Sequence, residues 1–208
     1  MKLIFRFVLF GFGASLAVAS PIAITFSGSA TGLWGAIIGG TYFSNAAFTI
    51  TSYANTSSVA AGTTLLGEPE YTLLATSTTI TIDGHTATFT NPTTWEATEG
   101  VLGNWWIELN GGLLNAELLG LSSSSLTNYE LETSMDTTSS TTALGTVVNV
   151  ATSYKNLTLT TLGSGSETFN AVVTPEPASP AIASAGLAGL LWLGLRRRAG
   201  RKKQQEAA

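Results

Sequence analysis

The chain has no cysteine and a single histidine, and only 11% of its 208 residues are charged. Without thiols there is no disulfide scaffold, no thiolate zinc site, no iron–sulfur cluster and no cysteine nucleophile. One histidine, His85, excludes a poly-histidine metal site and leaves little scope for imidazole relay chemistry. Positive charge is scarcest in the middle: between residues 21 and 174, Lys155 stands alone against 11 acids. That balance, near -10, removes nucleic acid from the partners, because a phosphate backbone needs a basic footprint. The basic residues sit at the ends, with Lys2 and Arg6 in the first 20 residues and six Lys/Arg against Glu176 and Glu206 after residue 174. The formal net charge of -4 therefore sums three unlike regions.

What is present at the N-terminus reads as a secretory signal over residues 1–19. Lys2 and Arg6 form a basic leader, and Phe7–Leu16 is an apolar stretch of the length expected of a signal core. Ala17-Val18-Ala19 places small residues at the -3 and -1 positions, so cleavage is expected between Ala19 and Ser20. Cleavage one residue later would put Pro21 first, which signal peptidases generally reject. A first transmembrane anchor is the alternative, and the shortness of the run with its A-x-A end speaks against it.

The C-terminus has three parts. Thr174–Pro180 is a proline-rich hinge that fits neither a helix interior nor a central strand. An uncharged, Leu/Ala/Gly-rich segment follows at Ala181–Leu195; counted from Ala178 it spans roughly 27 Å as a helix, just enough to cross a bilayer. Arg196, Arg197 and Arg198, then Arg201, Lys202 and Lys203, mark the cytoplasmic side, so the body is expected outside and the tail inside.

This ending closely resembles the PEP-CTERM protein-sorting signal of Gram-negative and related bacteria. The resemblance rests on Pro175-Glu176-Pro177, the short span with Gly186-Leu187 and Gly189-Leu190-Leu191, and the Arg196–Arg198 cluster. Ala178-Ser179 stands where the family usually has a Ser-Thr-like pair, and the basic tail runs on to Ala208; neither departure touches the core of the motif. The resemblance implies handling by an exosortase, a membrane transpeptidase-like enzyme that cuts near Pro-Glu-Pro. Pro175, Glu176 and Pro177 would then be recognised residues and not catalytic ones. It also implies an association with exopolysaccharide and biofilm. A plain stop-transfer helix, kept as a permanent anchor, is the other reading of the same residues.

Between the two ends lies a body at 20–174, the usual size of one domain. No 3.6-residue stripe persists in it, and β-branched residues with Gly-rich turns recur. The strongest signal is Thr78–Thr90, where Asp83-Gly84 is a preferred two-residue hairpin turn. Folding about it pairs Ile82 with His85 and Ile80 with Ala87, leaving Ile80, Ile82, Ala87 and Phe89 on one face and threonines on the other. Further strands are expected at Ile22–Phe26, Ala46–Tyr53, Tyr71–Thr76, Trp105–Leu109, Leu113–Leu119, Thr142–Tyr154, Lys155–Leu162 and Thr168–Val173. Asn110-Gly111 reads as a second turn, Ser122–Leu126 and Met135–Thr142 as loops with a short helix around Ser125–Glu132, and Gly163–Ser166 as the last loop. The predicted fold is all-β, an antiparallel β-sandwich or jelly-roll-like body, flanked by an N-terminal signal helix and one C-terminal transmembrane helix.

The candidate chemistry is sparse. His85 has no local partner for catalysis and reads as structural. Glu96, Glu99, Glu108 and Glu117 lie close in sequence to Trp95, Trp105 and Trp106, and carboxylates among aromatics are the raw material of a glycosidase. Trp95, Trp105 or Trp106, with Trp34 and Tyr42 behind them, are candidates for stacking on a sugar; adjacent Trp105 and Trp106 must point to opposite faces of a strand. No spaced Asp-rich loop indicates calcium, and no cofactor or metal is implied. The expectation is an exported, non-enzymatic surface or matrix protein, whose partners are signal peptidase, an exosortase, the inner membrane and exopolysaccharide. A secreted carbohydrate-binding module is the alternative, and a glycoside-active enzyme a weaker one.

Overall fold

The structure is a computed structural model that describes residues 19–36, 40–100, 103–111, 116–138, 141–144, 149–163 and 167–174. The signal segment before Ala19, and the sorting segment with Pro175, Glu176, Pro177, the span at 181–195 and Arg196–Arg198, lie outside the described residues. No helix among the described residues is long and apolar enough to cross a membrane.

The body is all-β and built of two antiparallel sheets. In chain order the strands are β1 (Pro21–Trp34), β2 (Thr41–Asn55), β3 (Val59–Thr63), β4 (Pro69–Leu74), β5 (Ser77–Ile82), β6 (His85–Thr88), β7 (Thr93–Glu99), β8 (Trp105–Gly111), β9 (Ala116–Ser122), β10 (Met135–Thr138), β11 (Thr141–Leu144), β12 (Leu157–Leu162) and β13 (Thr168–Val173). One sheet runs β10-β13-β1-β2-β5-β6, with β12 also pairing β1; the other runs β11-β9-β8-β7-β4-β3. β13 lies along the first half of β1 and β12 along its second half, so one long strand carries two successive partners on the same edge.

Alternation explains how the sheets close on each other. In the first sheet Phe169, Phe26, Ile50, Ile80 and Ala87 stand side by side in register across five strands, and all are buried. In the second, Leu73, Trp95, Leu109 and Leu119 form the matching row. The rows meet at Trp95, whose ring lies 6.5 Å from Phe26 and 5.7 Å from Phe169. Phe26 in turn stacks on Phe48 at 6.0 Å. The result is a sandwich-like core of interdigitated aromatic and aliphatic side chains.

The Asp83-Gly84 hairpin forms in the expected register, Ile82 opposite His85 and Ile80 opposite Ala87. Both turn residues have positive φ, 50° and 75°, as the two-residue turn requires. His85 stacks on Tyr154 at 4.8 Å. Not every threonine faces out. Thr78 shares the inner face with Ile80 and is buried, with hydroxyl contacts to Ser52 (2.8 Å) and Thr93 (2.6 Å) that tie β2 and β5 of one sheet to β7 of the other.

Several local expectations are corrected. Asn110-Gly111 is not a turn but the end of β8, where a bulge after Leu109 sets Asn110 opposite Glu117. A sheet neighbour satisfies the backbone there, through the pairs Asn110–Glu117 and Gly111–Ala116. The described residues of the expected loop Met135–Thr142 are strand: Met135–Thr138 (β10) pairs with β13, and Thr141 and Thr142 open β11, which pairs with β9. In place of a helix near Ser125 there is one 3-10 turn, Ser124–Leu126, capped by the Ser123 hydroxyl and anchored by buried Leu126. β3 and β7 have no counterpart among the expected strands, and among the described residues of the expected strand Thr142–Tyr154, Thr142–Leu144 is strand while Val150 and Thr152 make isolated bridges.

Candidate functional site

The outer face of the second sheet gathers several carboxylates. Alternation puts Glu70 and Thr72 of β4, Glu96 and Thr98 of β7, and Trp106 and Glu108 of β8 on the side opposite the core. Register then sets Thr72, Glu96, Glu108 and Gly120 in one row, with Glu70, Thr98, Trp106 and Ser122 in the next. Glu96 and Glu108 are thus direct cross-strand neighbours, a spacing of roughly 5 Å between Cβ atoms. Gly120 makes room for them. A Cβ there would sit 3.1 Å from the Glu108 Cγ and 3.3 Å from a Glu117 oxygen, so both side chains pass close to a residue that has no side chain.

Crowding like charges on a half-buried surface raises their proton affinity. Burial, then the charges of Glu117, Glu96 and Glu70, push Glu108 from 4.5 up to about 7. Glu96 is raised by burial and by Glu70 and Glu117, against the opposing effect of Asn110, whose Nδ2 donates to Glu96 Oε2 at 2.9 Å. Glu108 therefore titrates near neutrality, and a cation or a proton-donating hydroxyl laid on this row relieves the repulsion.

Beside the row is a groove of about 380 Å³, lined by Leu66, Thr98, Glu99, Trp106, Glu108 and Glu117 among others. The half-buried Trp106 indole and Leu66 supply apolar wall, and the carboxylates supply acceptors. An aromatic face with flanking carboxylates can stack on a pyranose ring and accept from its hydroxyls.

The sequence candidates divide sharply. Trp95 and Trp105 are core side chains, 0% and 3% exposed, and offer no face to a sugar; Trp34 is likewise buried. Trp106 points the other way and reaches the groove. Glu108, Glu117 and Glu99 do come together there, while Glu96 stands next to Glu108 in the same cross-strand row. Tyr42 is exposed on β2 of the other sheet. Ala19 and Ser20 precede β1, and Ser20 is tied to Thr56 by two hydrogen bonds, 3.1 Å from its N–H and 2.9 Å to its carbonyl.

Sequence reasoning missed Glu167. It is 2% exposed, its Oε2 accepts from the Thr142 hydroxyl at 3.2 Å, and its Oε1 has no partner among the described residues. It sits at the break between β12 and β13, against Gly28, where an added Cβ would come within 2.7 Å of it. Nothing in the local sequence marks it. Among the described residues no group of three or more His, Asp or Glu side chains is arranged to hold a metal ion.

Comparison of the chain with protein-family models, with curated proteins and with solved structures returns no match in any of the three.

Proposed function

We propose that this chain is the precursor of an exported, non-enzymatic β-sandwich protein of the bacterial cell surface or extracellular polysaccharide matrix. Signal peptidase removes the signal helix at 1–19. Residues 175–203 act as a PEP-CTERM sorting signal that crosses the inner membrane by the helix at 181–195 and is processed by an exosortase. The reading rests on the three-part ending of the sequence, Pro-Glu-Pro, apolar span and arginine cluster. One structural relationship supports it. The N–H of Thr174 donates to the carbonyl of Pro21 at 2.9 Å, and Ile22 pairs with Val173, so the first and last strands of the body zip together. β1 begins at Pro21 and β13 ends at Val173, so cleavage at both expected sites leaves every described strand in the body.

The test is the intact mass of the exported product from a strain that holds an exosortase. A species beginning at Ser20 and ending near Pro175–Pro177 is expected. Full-length protein that retains Arg196–Ala208 would overturn the sorting reading.

Trp106 in its groove favours a second reading, in which the mature body binds extracellular polysaccharide. Titration of tryptophan fluorescence with matrix oligosaccharides tests it, with Trp106→Ala as the control.

A further inference from the structure

One edge of the second sheet is β3, Val59-Ala60-Ala61-Gly62-Thr63, which among the described residues pairs only with β4. Edges of this kind are normally protected by charge, proline, a bulge or a covering loop. β3 has none of these: it is uncharged, proline-free, regular in register, and exposed at every residue but the half-buried Val59.

The hydrogen-bonding parity of the edge follows from its hairpin. The Thr64 N–H donates to the Glu68 carbonyl at 2.9 Å and the Gly67 N–H to the Thr64 carbonyl at 2.9 Å, with Gly67 at φ 86°. Thr64 and Glu68 are therefore a hydrogen-bonded pair. By alternation, Gly62 opposite Glu70 and Ala60 opposite Thr72 also face β4, while Val59, Ala61 and Thr63 turn their backbone groups outward. The Val59 N–H is taken by Thr56 O. The N–H and C=O of Ala61 and Thr63 and the C=O of Val59 have no partner among the described residues.

We propose that β3 is a docking edge for an extended, cationic segment of a partner protein, which adds as a further strand. Backbone pairing supplies the attachment and charge selects the occupant. An added residue opposite Gly62 projects its side chain onto the outer face. Gly62 has no side chain and open space around it, so the route to Glu70 on the next strand is clear. Two strand spacings are about 9.5 Å, within reach of a lysine or arginine leaning across. On the opposite face Glu130 accepts from the Tyr71 hydroxyl at 3.1 Å, so this side of the edge is acidic too. Among the described residues Lys155 is the only Lys or Arg, which disfavours a second copy of the same acidic body as occupant. Leu65 and Leu66, both well exposed on the hairpin turn past Thr63, give an apolar contact at the end of the track.

The experiment uses the purified full-length chain and a labelled, capped peptide of about seven residues alternating lysine and valine, read by fluorescence anisotropy. Binding is expected to weaken with salt, to vanish when glutamate replaces lysine, and to fall about threefold in Glu70→Gln. Ala61→Pro removes only an outward N–H and should abolish binding while the melting temperature holds. Should that variant fail to fold, Gly62→Lys, which fills open space and sets a positive charge on the edge, should do the same. Equal binding by wild type and Gly62→Lys, or no binding by wild type, overturns the proposal. So does a wild-type dimer that Ala61→Pro or Gly62→Lys dissolves, because the occupant is then a second copy.

Discussion

Glu96 and Glu108 face each other directly across the β7–β8 ladder on the outer face of the second sheet. Like charges so opposed destabilise a sheet unless one of them is neutral. Glu108 is pushed up to about 7 by burial and by its neighbours Glu117, Glu96 and Glu70. An acid whose folded pKa lies above its unfolded value binds more protons when folded, so stability is greatest at low pH and is lost as pH rises from about 4.5 toward 7. The loss should be on the order of 1–2 kcal/mol after allowance for solvent screening of this part-exposed group. Urea denaturation at pH 5 and pH 8 should show it, and Glu108→Gln should flatten the difference by stabilising the protein at pH 8.

Trp95 joins the two sheets, but its indole N–H is buried with no partner among the described residues. Trp95→Ala should cost about 3–5 kcal/mol, as large aromatic deletions do. Trp95→Phe should cost much less. It keeps a ring against Phe26 and Phe169 and removes a stranded donor whose burial costs about 1–3 kcal/mol. The separation between these variants in chemical denaturation is the measurement.

Thr78 bridges Ser52 and Thr93 in the interior. Thr78→Val keeps shape and strand preference but strands two buried hydroxyls, so it should cost about 1–3 kcal/mol. Thr81 bonds the Thr86 hydroxyl on the exposed face at 2.8 Å, and Thr81→Val should change stability by less than about 0.5 kcal/mol. Comparing the two unfolding midpoints separates the interior threonine from the surface one.

Gly84 has φ 75°, where a Cβ is strained whatever space surrounds it. Gly84→Ala should cost about 1–2 kcal/mol. Gly62→Ala, in open space with no such backbone demand, should stay within about 0.5 kcal/mol. Thermal melts of both variants check the contrast.

The Asp83-Gly84 hairpin was legible because all its determinants are local: two residues suited to positive φ between alternating runs, and a register that the turn dictates. The lone lysine of the body and the charged ends were equally plain. β7 and β10 were not. Thr93–Glu99 carries threonine and glutamate at alternate positions, and Met135–Thr138 is Ser/Thr-rich in its surroundings; both are strands because a neighbouring strand offers an unpaired edge. Asn110-Gly111 failed as a turn for the same reason, with a bulge absorbing the local signal.

The candidate site shows the same division at the level of single side chains. Alternation requires Trp105 and Trp106 to face opposite ways, and no local rule says which of them is core. Packing against the other sheet decides it: Trp105 lies with Trp95 on the covered face, and Trp106 is left to the groove. Glu96, Glu108 and Glu117 are spread over 22 positions of chain, and only the pairing of β7, β8 and β9 crowds them around Gly120. What the sequence alone determined was local: an all-β character, one hairpin, and a body stripped of positive charge. The tertiary structure decided which face is dry, which tryptophan is available and which carboxylates crowd together, because each depends on registers between strands far apart in the chain.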